Sequence, residues 1–142
     1  IHSIDPEITV VGKACPLFVP LVEEGMLHDS VTDEVASRYL ESMKEENIDS
    51  LILGCTHYPL LRSTVGKIMG PEVNLVNPAY ETAIELKNVL ERESLANICE
   101  VDSPSSMYRF YVSDAADKFK AFANAILPFD ITMTQQINIE QY

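Results

Sequence analysis

The stretch SLILGCTHYPLL, residues 50–61, decides how this chain is read. Its opening run is apolar on both faces and stops at Gly54, as a strand in the middle of a parallel sheet does. Cys55, Thr56 and His57 follow at once, then Tyr58 and Pro59. Proline suits the first turn of a helix, so thiol, hydroxyl and imidazole fall at a strand-to-helix junction. In open parallel α/β sheets, sites form beyond the carboxyl ends of the strands. Free N–H groups and the positive end of a helix dipole point there, which suits a carboxylate held by amides and by the Thr56 hydroxyl. The same field favours a thiolate at Cys55. A lone cysteine after a strand is more often a small apolar filler, but Gly-Cys-Thr-His-Tyr-Pro at such a junction points to chemistry.

Working outward, the pattern alternates. Upstream, ITVVG (8–12) reads as a short buried strand, and CPLFVPLVEEG (15–25) as a turn entering a short helix. Pro16 suits its first position and Gly25 its end, while Pro20 sits awkwardly inside. A longer helix begins near Asp29, with Asp29 or Ser30 as cap, Asp33 and Glu34 in its first turns, and Val31, Val35, Tyr39 and Met43 on one face. Downstream, YPLLRSTVGKIMG (58–70) predicts a helix closed by Gly70, and EVNLV (72–76) a strand. NPAYETAIELKNVLERESL (77–95) predicts a long helix, with Pro78 near its start and Ala79, Ala83, Leu86 and Leu90 on one face. MYRFYVSD (107–114) reads as a strand, and AADKFKAFANAIL (115–127) as a helix capped by Ser113 or Asp114. The tail offers a short edge strand at INIE (137–140). Strands alternating with helices across short connections predict right-handed crossovers and a parallel α/β sheet. Composition loosens only at NICEVDSPSS (97–106), and no internal repeat is present.

The 142 residues carry a net charge of −12, and the ten lysines and arginines are scattered singly. No basic stripe exists to neutralise phosphates, which argues against nucleic acid as a partner. Cys15, Cys55 and Cys99 form no CxxC pair and no metal-ligand spacing with His2, His28 and His57. A reducing cytoplasm therefore fits better than a disulfide framework, and no metal is expected. No apolar run approaches the ~20 residues that span a bilayer. No basic leader precedes an apolar stretch, and a chain opening on Ile1 fits a processed or trimmed polypeptide.

ACPLFVPLVEEG (14–25), followed about thirty residues later by LILGCTHYPLL (51–61), resembles the second half of bacterial members of the aspartate/glutamate racemase family. The closing segment MYRFYVSDAADKFKAFANAIL is similar to that family as well. The resemblance implies a three-layer α/β fold with a parallel sheet, incomplete relative to the two-domain family fold. Residues 1–78 would be the C-terminal part of the second domain, and residues 79–142 the returning segment of the first. It implies interconversion of L- and D-glutamate without a cofactor, supplying D-glutamate for peptidoglycan. Two cysteines on opposite sides of the α-carbon exchange its proton, one as thiolate and one as thiol.

Carried over by motif, Cys55 is one of those two cysteines. His57 assists as acid/base and contacts substrate, and Thr56 binds the substrate carboxylate. An acidic residue falls at Glu23 by the shared PLVE pattern, with Glu24 as the alternative. Cys15 is expected to pack structurally, Cys99 matches nothing, and His2 and His28 receive no role. The family's other cysteine, an early aspartate and an Asn-Thr pair belong to a first half that has no counterpart here. The implied partners are glutamate and either a second copy or the missing half, with no membrane. Other readings stay open: an inactive fragment or protein-binding module with the same fold, or a cysteine hydrolase using Cys55 and His57. Residues two apart near a helix start do not readily pair, which disfavours the hydrolase.

Overall fold

Strand β1 (Ser50–Ile52) pairs in parallel with β2 (Asn74–Val76), in the register Ser50↔Asn74, Leu51↔Leu75, Ile52↔Val76. The computed structural model describes residues 1–97 and 108–141, so Cys99 and all but Asn97 of the loosened segment lie outside the described residues. The chain divides into two units, Ile1–Leu95 and Ala96–Tyr142.

The first unit is built around the crossover from β1 to β2. A single helix over 58–70 is expected there; the structure splits it into a 3-10 turn (Tyr58–Leu61) and α3 (Arg62–Met69). The Leu60 N–H bonds back to the His57 carbonyl, three residues earlier, which is the tighter closure. Gly70, at φ +88°, ends α3 as expected, in a conformation that glycine reaches without steric cost.

Helix α1 (Phe18–Glu23) resolves the Pro20 conflict. Pro20 is its third residue, in the first turn, where a backbone N–H has no partner to lose. Gly25 closes α1 at φ +75°: its N–H bonds to the Val22 carbonyl, and that of Met26 to Leu21. This is a Schellman motif.

In α2 (Ser30–Glu45), the Asp29 side chain caps by accepting from the Val31 N–H at 2.8 Å. The buried face is Thr32, Ala36, Leu40 and Met43, one residue on from the expected Val31, Val35, Tyr39 stripe. Val31 is 51% exposed. Thr32 can enter the core because its hydroxyl donates to the Met26 carbonyl at 2.6 Å, an arrangement that apolar periodicity does not register. Thr64 of α3, also buried, donates to Asp33 Oδ1 of α2 at 2.9 Å and ties the two helices together.

Two strand expectations fail in this unit. Residues 8–12 form no strand and are exposed, because no strand among the described residues pairs with them. β1 is not mid-sheet: among the described residues β2 is its only neighbour, and Ile52 is half exposed. Helix α4 (Pro78–Arg92) is capped by Asn77, whose side chain accepts from the N–H groups of Ala79 and Tyr80. It buries none of its residues, so the stripe of Ala79, Ala83, Leu86 and Leu90 covers no core.

In the second unit, β3 (Phe110–Val112) pairs in parallel with β4 (Thr134–Gln136), with α5 (Ala116–Ile126) between them in sequence. Phe110 lies 5.8 Å from Phe119, and Tyr108 stacks on Phe129 at 5.2 Å. Neither Ser113 nor Asp114 caps α5. The Asp114 carboxylate accepts from the adjacent Ala115 N–H, and Ala115 enters the left-handed region at φ +49°. The final strand lies at 134–136 rather than at INIE. Ile137 N–H closes the ladder on the Val112 carbonyl, and the Asn138 side chain then accepts from Glu140 N–H, bending residues 139–141 into a 3-10 turn. No helix among the described residues is long and apolar enough to cross a membrane.

Leu61 is fully buried, so Leu61→Ala should lower the stability of the first unit by roughly 2–5 kcal/mol, read from urea midpoints. Tyr80→Ala on exposed α4 should stay within about 0.5 kcal/mol of the parent. An equal loss from both would mean that α4 is part of the cooperative core. Thr64→Val should cost about 1 kcal/mol through the lost bond to Asp33; a neutral result would show that this bond adds nothing to the α2–α3 contact.

Candidate functional site

The turn after β1 gathers the reactive side chains. Leu53 is buried, Gly54 is exposed, and Cys55 is half-buried at the rim of the unit. The Tyr58 N–H closes the turn on the Cys55 carbonyl at 3.1 Å. The His57 ring occupies the centre. Its Nδ1 lies 4.0 Å from Cys55 Sγ and 3.3 Å from Thr56 Oγ1. Its Nε2 lies 3.5 Å from Glu23 Oε1, at the last residue of α1.

The ring thus stands between a carboxylate on its Nε2 side and a thiol and a hydroxyl on its Nδ1 side. The His57 side chain is 27% exposed and that of Glu23 50%, so the pair is open to solvent and its charge interaction is screened. The structure brings Cys55, Thr56, His57 and Glu23 together, and Glu23, rather than Glu24, is the carboxylate that reaches the ring. Contrary to expectation, Cys55 and His57 do approach each other, because the intervening residue sits in a turn and not yet in a helix.

Sequence reasoning passed over Tyr58. Its hydroxyl donates to the Cys15 carbonyl at 3.2 Å, and its ring meets Phe18 edge-on at 5.3 Å. Phe18 in turn meets Tyr39 of α2 edge-on at 5.6 Å. These contacts fix the turn against the segment that leads into α1, and hence fix His57 relative to Glu23. Burial pushes the Tyr58 hydroxyl above its ordinary range, and the nearby Cys15 and Cys55 sulfurs push it the same way. The signal available in the sequence was an aromatic residue directly after the histidine.

Cys15 is buried at 4% exposure, with its thiol 3.9 Å from the Lys13 carbonyl, and burial pushes that thiol up despite the opposing charge of Lys13. His2 Nε2 lies 2.9 Å from the Ile8 carbonyl, away from this cluster. Among the described residues, no group of three or more histidine, cysteine or acidic side chains could hold a metal ion.

The two thiols should separate under iodoacetamide. At pH 8, peptide-resolved mass spectrometry should find Cys55 modified at least about tenfold faster than Cys15. Cys15 holds its proton in the fold beyond the range of an unfolded cysteine, so its labelling should climb only as pH rises further. Faster labelling of Cys15 would contradict the burial assigned to it.

No protein-family model matches the chain. Curated relatives do. A glutamate racemase of Thermoanaerobacter sp. (strain X514) is 39% identical over all 142 residues, which cover 52% of its length. Glutamate racemase 2 of Caldanaerobacter subterraneus subsp. tengcongensis is 40% identical over the same span and share. Among solved structures, the glutamate racemase of Francisella tularensis in complex with D-glutamate matches the whole chain at TM-score 0.86 and 32% identity, over 52% of that protein. Isoform RacE1 of Bacillus anthracis matches 97% of the chain and 50% of its own at TM-score 0.83 and 30% identity. The expected parallel α/β architecture is thus borne out, incomplete relative to the full fold. The chain is thus similar over its whole length to glutamate racemases, and spans about half the length of the curated relatives it matches.

Proposed function

We infer that this chain supplies one side of a glutamate racemase active site, with Cys55 as one of two proton-transferring thiols. The carrying observation is the contiguous set Cys55, His57 and Glu23 at the end of a parallel strand, within a sequence related to glutamate racemases along its whole length. An α-proton beside a carboxylate is very weakly acidic. Its removal needs a strong base that is already deprotonated near neutral pH, and a thiolate beside an imidazole meets that need.

In one direction the Cys55 thiolate takes the α-proton, and a thiol on the opposite face returns one to the resulting carbanion. In the other direction the roles exchange. His57 passes the proton between Cys55 and solvent, with Glu23 orienting its ring. Thr56 and the amides of the turn hold the substrate carboxylate, whose charge grows as the carbanion forms. No cofactor takes part. The second thiol would come from chain outside these residues, with 1–78 and 79–142 belonging to the second and first racemase domains respectively. The Francisella complex with D-glutamate supports glutamate as the small molecule bound. Supply of D-glutamate for peptidoglycan in the cytoplasm, with assembly through a second copy or the missing half, completes the reading.

The test follows α-proton exchange of glutamate in deuterated water by NMR. The 142-residue chain alone should show none, and robust exchange would overturn the need for a second thiol. Joined to the unmatched portion of the Thermoanaerobacter relative, it should exchange both enantiomers. There Cys55→Ala should remove both directions, whereas Glu23→Gln should cost about 10²-fold or more in rate with the exchange still detectable. A Cys55→Ala enzyme that keeps most of its rate would remove that thiol from the mechanism.

A further inference from the structure

The imidazole of His57 has one lone pair and two claimants for it. Glu23 Oε1 lies 3.5 Å from Nε2. An ionised carboxylate can only accept, so it selects the tautomer whose proton sits on Nε2, and Nδ1 is left as an acceptor. Two donors reach that one site: the Thr56 hydroxyl at 3.3 Å and the Cys55 thiol at 4.0 Å. The oxygen is the nearer, and a hydroxyl is a stronger donor than an S–H, so Thr56 holds the lone pair. While it does, the Cys55 proton has no base to reach.

Thr56 is also the side chain open to an incoming ligand. It is exposed, whereas Cys55 and His57 are half-buried. Among the described residues, the N–H groups of Cys55, Thr56 and His57 meet no carbonyl, so the turn presents donors beside that hydroxyl. An anion seated on these donors takes the Thr56 hydroxyl too, because a hydrogen bond to a charged acceptor is roughly twice as strong as one to a neutral acceptor. The hydroxyl has a single proton to give, so binding the anion empties Nδ1.

We propose that Thr56 is a gate on the thiol. Its hydroxyl blocks His57 Nδ1 in the free protein and turns to the substrate carboxylate on binding, so that Cys55 passes its proton to His57 only in an occupied site. In that step the S–H bond breaks with its electron pair left on sulfur, and an N–H bond forms at Nδ1. The products are a thiolate and an imidazolium, the latter facing Glu23. The inference rests on the carboxylate-binding role proposed for Thr56 and adds the moment at which the base is made. An empty site then carries a thiol, which alkylating and oxidising agents attack more slowly than a thiolate.

Iodoacetamide labelling of the 142-residue chain reads the gate without turnover, so its failure and a failure of the racemase reading are separate results. Thr56→Val keeps the shape of the side chain and removes the donor. Cys55 should then label about fivefold faster, the worth of one neutral hydrogen bond. The rate is read relative to buried Cys15, which a loosened fold would speed as well. Thr56→Ser should label at the parent rate, and adding His57→Asn to Thr56→Val should abolish the gain. A Thr56→Val rate equal to the parent's would overturn the proposal, and so would a gain that survives without the imidazole. The ligand arm uses the chain joined to the unmatched portion of the Thermoanaerobacter relative. D-glutamate should raise its ultraviolet thiolate absorbance. Neither Cys55→Ser nor Thr56→Val should show the rise, the first for want of the sulfur and the second because its thiolate is present beforehand. A joined chain that exchanges the α-proton with no change in absorbance on binding would overturn the gate and leave the racemase reading standing.

Discussion

One hydrogen bond carries the geometry of the site: Tyr58 hydroxyl to Cys15 carbonyl, backed by the edge of Phe18 against the Tyr58 ring. The turn after β1 is short and only partly buried, so local sequence alone leaves it free to move. Tyr58 reaches 43 residues back along the chain and fastens the turn to the start of α1. Phe18 also contacts Tyr39, so the same anchor reaches α2. Once α1 is held, its last residue, Glu23, falls beside His57. The carboxylate and the imidazole are thus positioned by an aromatic contact to which neither belongs.

Burial separates the two described thiols. Cys15 lies in the core, where its charged form is disfavoured, and its backbone carbonyl serves as an acceptor for Tyr58. Cys55 lies at the rim, with an imidazole on one side and an exposed threonine next in sequence. The two residues that follow β1, Leu53 and Gly54, make this difference. The leucine fills the core, and the glycine carries no side chain to cover the sulfur that follows.

The first unit looks unfinished in a consistent way. Among the described residues, β1 lacks a neighbour on one side, residues 8–12 lack one altogether, and α4 buries none of its own side chains. Each of these segments has a sequence suited to burial. Apolar residues left in water are a net cost that a stable assembly removes.

Much of this was legible without coordinates. The junction after SLILG, the cap at Asp29, the glycine stops at Gly25 and Gly70, and the alternation of strand and helix follow from local rules. A cap needs only its own turn, and a positive φ needs only its own residue. Tertiary structure decided the rest. Thr32 displaced Val31 from the buried face because a carbonyl six residues earlier was in reach of its hydroxyl. Glu23 met His57 because Tyr58 and Phe18 set the distance between two segments far apart in sequence. ITVVG stayed exposed because a strand exists only by pairing, and its partner lies nowhere in the described residues. Local rules fix what a segment can become; the neighbours it finds, through hydrogen bonds and packing at long range, fix what it is.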